Sequence, residues 1–186
     1  IGVKDLTAII FAVYNFKEAR LYVTHEVIIS GSEVTTARIA SEVEGKEAII
    51  KHRPYKRISD NNNLILLQDL GSEHGMHFVP TSKDSLAAMV NELRLWVKDG
   101  RIVVDEACKH VLGCLEFGVW DLDRKGWSSS AVYGHFDALA ALMYLVRNID
   151  QNTNPIPSGH GTSVWDHIRP VDDTQNDNLK QIFNLS

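Results

Sequence analysis

Cysteine is scarce in this sequence of 186 residues, which contains only Cys108 and Cys114. Their spacing matches neither a CxxC redox pair nor a zinc knuckle, so we expect two reduced core thiols in a reducing cytoplasm. A long hydrophobic run is also lacking, because no apolar stretch approaches the roughly 20 residues that cross a bilayer. The N-terminal segment has neither a basic leader nor a cleavage site, so we expect no signal peptide.

An excess of positive charge is lacking too, since 19 Lys and Arg stand against 24 Asp and Glu, a net charge of −5. A domain that holds nucleic acid unaided is usually basic. Any nucleic-acid role therefore needs a local basic patch, a metal-bridged phosphate or a partner. No GxxxxGK[ST] motif is present, so no phosphate-binding loop of an ATPase is expected. The apolar fraction of 44% suits one globular domain with a sizeable core.

The predicted elements begin with strands and continue with alternating helices and strands, which favours an α/β fold with a mixed sheet flanked by helices on both faces. Residues 6–16 and 20–30 are predicted to form an antiparallel hairpin, with 1–3 as the end of a strand beside it. The other predicted elements are a helix at 30–52 capped by Ser32, a strand at 55–59, a helix at 61–75, a strand at 76–80, a helix at 81–100, a strand at 101–105, a helix at 106–120 and a helix that opens within 134–148. Residues 1–150 are expected to form the domain, and 151–186 a polar C-terminal extension without a core.

The helix predicted at 81–100 has the clearest apolar stripe in the sequence. We expect its inner face to consist of Leu86, Met89, Val90, Leu93 and Val97. Two tryptophans, Trp96 and Trp120, are also expected in the core.

Three acidic positions could meet at one edge of such a sheet. Asp60 follows the strand predicted at 55–59, where loops of an open α/β sheet build the active crevice, although an aspartate there could instead cap the next helix. Asp137 lies in the first helical turn, where the helix dipole alone could account for it. His135 beside it adds a second possible ligand, and Asp5 lies near the exit of the first strand.

Clustered carboxylates have a specific use in phosphodiester chemistry. Hard oxygen ligands suit Mg²⁺ or Mn²⁺. Two such ions about 3.5–4 Å apart can activate a water and stabilise the leaving oxygen. A site built from Asp60, Asp137, His135 and Asp5 would therefore fit a metal-dependent nuclease.

Four segments of the sequence are informative by their order and spacing: KDLTAIIFAVYNF with RLYVTHEVII, RISDNNNLILLQDL, KDSLAAMVNELRLWVKDGRIVV and GHFDALAALMYLVRN. Together they resemble the ribonuclease H-like nuclease domain of the large terminase subunit of tailed bacteriophages, over residues 1 to about 150. The resemblance implies an endonuclease that cuts concatemeric viral DNA at the start and end of packaging. It matches Asp60 and Asp137 to two of the family's acids and His135 to a histidine found in some members. It also puts Lys83 near the site, although a solvated lysine is the ordinary alternative.

The family's first acid departs from its usual place. It normally follows the first strand in a pattern like IGVD, whereas this sequence reads IGVKDLTAI, with Lys4 at that position. A Lys-Asp pair is also a poor tight hairpin turn. We favour the absence of an active-site loop, with its aspartate, after Val3. The alternatives are that Asp5 serves as the ligand or that the site lacks its first ligand.

The resemblance also implies partners: double-stranded DNA, a packaging ATPase domain, the small terminase subunit and the portal protein, in the cytoplasm of an infected bacterium. The isolated domain is expected to be a monomer. A Holliday-junction-resolvase-like nuclease and a non-catalytic docking module of a packaging motor remain alternatives. The basic stretch 51–57 could contact DNA or simply be solvated. We expect a surface role for Asp69, turn roles for Asp121 and Asp123, and cross-hairpin pairing for His25 and Glu26.

Overall fold

The computed structural model describes residues 6–51, 53–119, 130, 132–133 and 135–154, and the structural statements below concern these residues. Backbone contacts divide the chain into two units, Ile1–Gln151 and Asn152–Ser186. The elements in chain order are β1 (Leu6–Asn15), β2 (Arg20–Ser30), a 3-10 turn (Gly31–Glu33), α1 (Thr36–Ile50), β3 (Ile58–Ser59), α2 (Leu64–His74), β4 (Val79–Pro80), α3 (Leu86–Lys98), β5 (Ile102–Val104), α4 (Lys109–Phe117) and α5 (Asp137–Asn148).

The described strands form two small sheets. β1 and β2 pair antiparallel, which confirms the predicted hairpin, and β5 pairs parallel with β2. This makes a mixed three-stranded sheet in the order β1, β2, β5. β3 and β4 form a separate parallel pair. The predicted mixed α/β architecture is confirmed, with the strands divided between two sheets.

A β-bulge in β2 decides which helices each half of that strand contacts. The register shifts between the pairs Phe11↔His25 and Ala12↔Val23, so Thr24 is the extra residue. Its hydroxyl lies 3.3 Å from the carbonyl oxygen of Phe11. Because side chains alternate along a strand, one extra residue moves all later ones to the opposite face.

Helices cover both faces of the three-stranded sheet. On one face α3, α4 and α5 pack against the start of β2 and alternate residues of β1, and on the other face α1 and α2 pack against the end of β2. The first core includes Leu21, Val23, Met89, Leu93, Trp96, Val111, Cys114, Phe136, Leu142 and Val146. The second includes Val27, Ile29, Ile39, Ala40, Val43, Leu70 and Met76.

Several helix boundaries differ from the predicted ones. α1 is capped by Thr35, whose side chain accepts the backbone N–H of Arg38 at 3.1 Å, so the prediction of Ser32 as the cap was wrong. α3 begins at Leu86 rather than near residue 81. The segment 81–85 is therefore a loop between β4 and α3, and this loop carries Lys83.

Most of the predicted core is confirmed. Trp96 is only 3% exposed, whereas Val97, predicted for the inner stripe of α3, is 47% exposed. Cys108 and Cys114 are both free and buried, as expected. Trp120 lies outside the described residues.

Candidate active site

Asp60 is the first residue after β3. Its Oδ1 accepts the backbone N–H of Asn62 at 3.2 Å. The cap of α2 is Asn63, whose side chain accepts the N–H of Leu66 at 3.1 Å. The helix-capping role that local sequence allowed for Asp60 is therefore filled by Asn63, and the second carboxylate oxygen of Asp60 points elsewhere.

That second oxygen binds a lysine. Nζ of Lys83 donates to Oδ2 of Asp60 at 3.1 Å. About a third of each side chain is exposed, 29% for the lysine and 34% for the aspartate. The same ammonium group lies 5.7 Å from the centre of the Tyr144 ring on α5. Lys83 thus links the end of β3 to α5.

Asp137 is the first residue of α5 and is partly buried. The positive end of the helix dipole stabilises a carboxylate at this position. The preceding residue, Phe136, is 2% exposed and has a left-handed backbone with φ of 58°. Such a conformation is strained for a residue with a side chain, and packing of the ring in the core holds it.

Tyr144 on α5 lies beside Lys83, the partner of Asp60, and is on the same helix as Asp137. It lies seven residues after Asp137, about two helical turns further on the same face of α5. Burial raises the pKa of Tyr144, the Lys83 ammonium lowers it, and the negative charges of Asp60 and Asp137 raise it. Seven residues of helix separate Asp137 from Tyr144 by about 10 Å along the axis of α5. The Lys83–Asp60 ion pair thus lies beside Tyr144, and Asp137 lies two helical turns away at the start of the same helix.

Polar contacts hold α5 against the sheet of β3 and β4. The buried hydroxyl of Thr81 accepts from Nδ2 of Asn148 at 2.6 Å, and the same nitrogen donates to the Tyr144 carbonyl at 2.9 Å. Lys56 Nζ donates to Oδ1 of Asn148 at 3.4 Å. Asn148 therefore fixes the end of α5 beside β3 and β4, the strands that Asp60 and the Lys83 loop follow.

The other predicted ligands are less closely described. His135 is exposed in the turn before α5. Asp5 lies outside the described residues, as do Lys4, Asp121 and Asp123. Within the described parts of the chain, no three His, Cys, Asp or Glu side chains are grouped to hold a metal ion. Asp69 is half-buried on α2.

The chemistry of the described donors suits a hard cation. Asp60 and Asp137 offer carboxylate oxygens, which Mg²⁺ and Mn²⁺ prefer over nitrogen or sulfur. An acid from the first strand would complete such a site. The residues present therefore fit the predicted metal by donor type, while Lys83 supplies a positive charge at the same place.

The basic stretch 51–57 is partly engaged within the fold. Arg57 forms a double hydrogen bond with Glu47 on α1, at 2.9 and 2.7 Å. Lys51 and Arg53 are exposed, and neither has an ion pair with any residue that the structure describes. The stretch therefore leaves two cations beside the segment that leads to Asp60.

Glu26 has a role that the sequence did not indicate. Its two carboxylate oxygens accept the backbone N–H groups of His110 and Val111, each at 2.8 Å. These two N–H groups lie in the first turn of α4, where the helix itself offers them no carbonyl acceptor. The predicted pairing across the hairpin is confirmed, since Glu26 lies opposite Ile10 and His25 opposite Phe11, but the Glu26 carboxylate also binds α4. The contact spans more than 80 residues of sequence, so no local signal could have revealed it.

Comparison with known proteins finds a relative of this chain among phage proteins. The chain is 26% identical over 124 residues to the large terminase subunit of Escherichia phage T5, a match that covers 67% of this chain and 27% of that protein. The chain is homologous to that subunit and spans about a quarter of its length. No protein-family model matches.

Solved structures show the same fold. A structure of the large terminase from a thermophilic bacteriophage matches with a TM-score of 0.64 at 19% identity, over 80% of this chain and 37% of that one. A second crystal form of the same protein matches with a TM-score of 0.59 at 18% identity, over 80% of this chain and 38% of that one. Among the described helices, none combines the length and apolar character that crossing a membrane requires.

Proposed function

We propose that this chain is a metal-dependent endonuclease domain, ribonuclease H-like in fold, from a phage terminase large subunit. It cuts concatemeric viral DNA during genome packaging. The observation that carries the proposal is the Asp60–Lys83 ion pair beside Tyr144, on the helix that begins at Asp137, in a chain homologous to a large terminase subunit. Helix capping does not account for Asp60, because Asn63 performs it.

Asp60 and Asp137 would hold the metal, with His135 as a further ligand or as a partner that orients one. The first-strand acid, either Asp5 or an aspartate from a loop absent after Val3, would complete the set. Bound Mg²⁺ or Mn²⁺, in the proposed pair of ions, would supply a Lewis acid for phosphodiester hydrolysis.

The residues of this chain would bind and orient the DNA backbone. Lys51 and Arg53 are exposed cations on the approach to Asp60. Contacts of this kind engage phosphates and carry no base information, so we expect little sequence preference. With a net charge of −5, the chain would hold DNA weakly on its own.

Other parts of a packaging machine would therefore deliver the DNA. We propose a packaging ATPase domain, the small terminase subunit and the portal protein as partners, in the cytoplasm of the infected bacterium. The C-terminal extension, residues 151–186, is a candidate contact with the portal. Deleting it and finding genome packaging unchanged would end that idea.

Plasmid nicking in Mn²⁺ tests the activity. The wild-type chain should nick and linearise supercoiled DNA, and EDTA should stop it. Asp60→Ala and Asp137→Ala should each lower the rate by about 100-fold or more, since even the loss of a group that only orients a metal ligand typically costs about 10–100-fold. Asp99→Ala is the control, because Asp99 is an exposed aspartate at the end of α3. It should cut at the wild-type rate.

The two alternatives give different results in related assays. A junction resolvase should be a dimer in sizing chromatography and should bind a four-way junction tightly without other proteins. A non-catalytic docking module should leave the plasmid intact with wild type and with every variant.

A further inference from the structure

The ion pair between Lys83 and Asp60 bears on how a cation would enter the site. This inference rests on the proposed function. Nζ of Lys83 lies 3.1 Å from Oδ2 of Asp60, the carboxylate oxygen that is not used by the Asn62 backbone. An ammonium group at this distance takes the electrostatic position that a metal ion would take.

The surroundings hold Lys83 in that position. Two hydrogen bonds at Thr81 fix its loop, residues 81–85. The Thr81 N–H donates to the Ser59 carbonyl at 2.7 Å, and the Thr81 hydroxyl accepts from Nδ2 of Asn148. The ammonium also lies over the Tyr144 ring at 5.7 Å. The lysine is thus positioned between the segments that carry the two aspartates, rather than extended into solvent.

A cation beside carboxylates that share a metal site reduces the repulsion between their negative charges. Two like charges brought together raise each other's cost of ionisation and destabilise the fold. A nearby ammonium group offsets that repulsion when no metal is bound. The same charge repels a divalent ion and occupies one of its ligand atoms.

We propose that Lys83 is a built-in counter-ion that competes with the divalent cation for Asp60. Metal entry then requires the ammonium to leave Oδ2. Lys83 stabilises the metal-free chain and sets its metal affinity lower than the carboxylates alone would give.

Calorimetric titration of the whole chain with Mn²⁺, without DNA, tests the competition. Lys83→Met removes the charge and keeps much of the side-chain length. It should bind Mn²⁺ roughly two- to fivefold more tightly than wild type, the range expected for losing a partly exposed ion pair. Lys83→Arg keeps the charge and should bind within about twofold of wild type.

Lys98→Met is the matched control. Lys98 is an exposed lysine at the far end of α3, about 20 Å along the helix from the loop of Lys83. That separation exceeds the screening length at physiological salt, so its removal should leave the affinity unchanged. Melting temperatures in EDTA and in Mn²⁺ provide a second readout. Lys83→Met should melt lower than wild type in EDTA and gain more from Mn²⁺.

The outcomes separate the two proposals. Equal Mn²⁺ affinities for wild type, Lys83→Met and Lys98→Met, or weaker binding by Lys83→Met, would overturn the competition and leave the nuclease proposal standing. Failure of all of these proteins to bind Mn²⁺ would overturn both. Tighter binding by Lys83→Met alone supports the counter-ion role.

Discussion

Glu26 on β2 binds the start of α4 through its carboxylate, which accepts the backbone N–H of Val111 at 2.8 Å and that of the preceding residue at the same distance. A strand residue thus caps a helix that lies more than 80 residues later. The helix dipole and two charge-assisted hydrogen bonds favour this arrangement. This contact leads to the first prediction.

Glu26→Ala should lower the free energy of unfolding by about 2–3 kcal/mol, because two donors at the helix start lose a charged acceptor. Glu26→Gln should lose less, since one oxygen remains while the amide nitrogen faces the other N–H. Urea unfolding followed by circular dichroism measures both. Glu44→Ala, at an exposed position on α1, should change stability by less than about 0.5 kcal/mol. Equal stability of Glu26→Ala and Glu44→Ala would refute the cap.

Substitutions at Asn63 and at Asp60 distinguish a helix-capping role from a role in the candidate site. Asn63→Ala should lower the free energy of unfolding by about 1 kcal/mol, because the N–H of Leu66 loses its acceptor. It should retain nicking activity wherever the chain remains folded. Asp60→Asn should have the reverse profile, with nicking lost and stability lowered only slightly by the loss of the partly exposed ion pair with Lys83. A large stability loss in Asp60→Asn, with activity retained, would count against its placement in the site.

The pKa of Tyr144 tests whether the two aspartates share one neighbourhood. Burial raises this pKa, and the charges of Asp60 and Asp137 raise it further, while Lys83 lowers it. Asp60→Asn and Asp137→Asn should therefore each lower the pKa of Tyr144, and Lys83→Met should raise it.

Titration in EDTA by ¹³C NMR of tyrosine labelled at Cζ measures these shifts, and Tyr144→Phe assigns the signal. An unchanged Tyr144 pKa in Asp137→Asn would count against the placement of Asp137 in the candidate site.

The buried thiols make stability fall at alkaline pH. Burial is the main cause that raises the pKa of Cys108 to about 11 and that of Cys114 to about 12, from an ordinary value of 9.0. In the unfolded chain both thiols ionise near the ordinary value. Their contribution to stability is therefore complete below pH 9 and is lost as the pH rises toward 11 and 12.

Urea unfolding at about pH 8, 9 and 10 should show this decline, with a shallower slope for Cys114→Ala despite its lower overall stability. A charged disulfide reagent should react slowly with the native thiols at about pH 8 and rapidly with both in urea. Fast reaction of the native protein would contradict the burial of these residues.

Two helix ends with the same backbone conformation offer a matched pair of substitutions. Lys51 at the end of α1 has φ of 60°, and Gly75 at the end of α2 has φ of 66°, both with ψ of 17°. Glycine adopts this left-handed conformation without strain. Lys51→Gly should therefore raise the free energy of unfolding by about 0.5 kcal/mol, and Gly75→Ala should lower it by about 1 kcal/mol.

Urea unfolding measures both effects. A Cβ atom at Gly75 would meet no neighbouring atom within 4 Å, so the loss there reflects backbone strain alone. Lys51→Ala is the control for removing the lysine side chain, and it should bring no gain. A gain in Lys51→Ala equal to that of Lys51→Gly would attribute the effect to the side chain rather than to the backbone.

The site was only partly predictable. Asp60 and Asp137 could be proposed because each lies at a local boundary. Asp60 follows the end of a strand, and Asp137 lies at the start of a helix. Tyr144 could have been found from its spacing of seven residues after Asp137, which places both on one helix face. The pairing of Lys83 with Asp60 joins residues 23 apart, and it required the loop 81–85, which the sequence had predicted as helix.

The sequence by itself determined the kinds of elements and much of their inward faces, because hydrophobic periodicity and turn residues act over a few neighbouring positions. It predicted the first hairpin and placed Asp137 in the first turn of the last helix. Only the tertiary structure decided the bulge at Thr24, the cap that Glu26 provides, and the contact between Lys83 and Asp60. These features depend on packing between segments distant in sequence, where a small shift in register or helix start changes which charged groups meet.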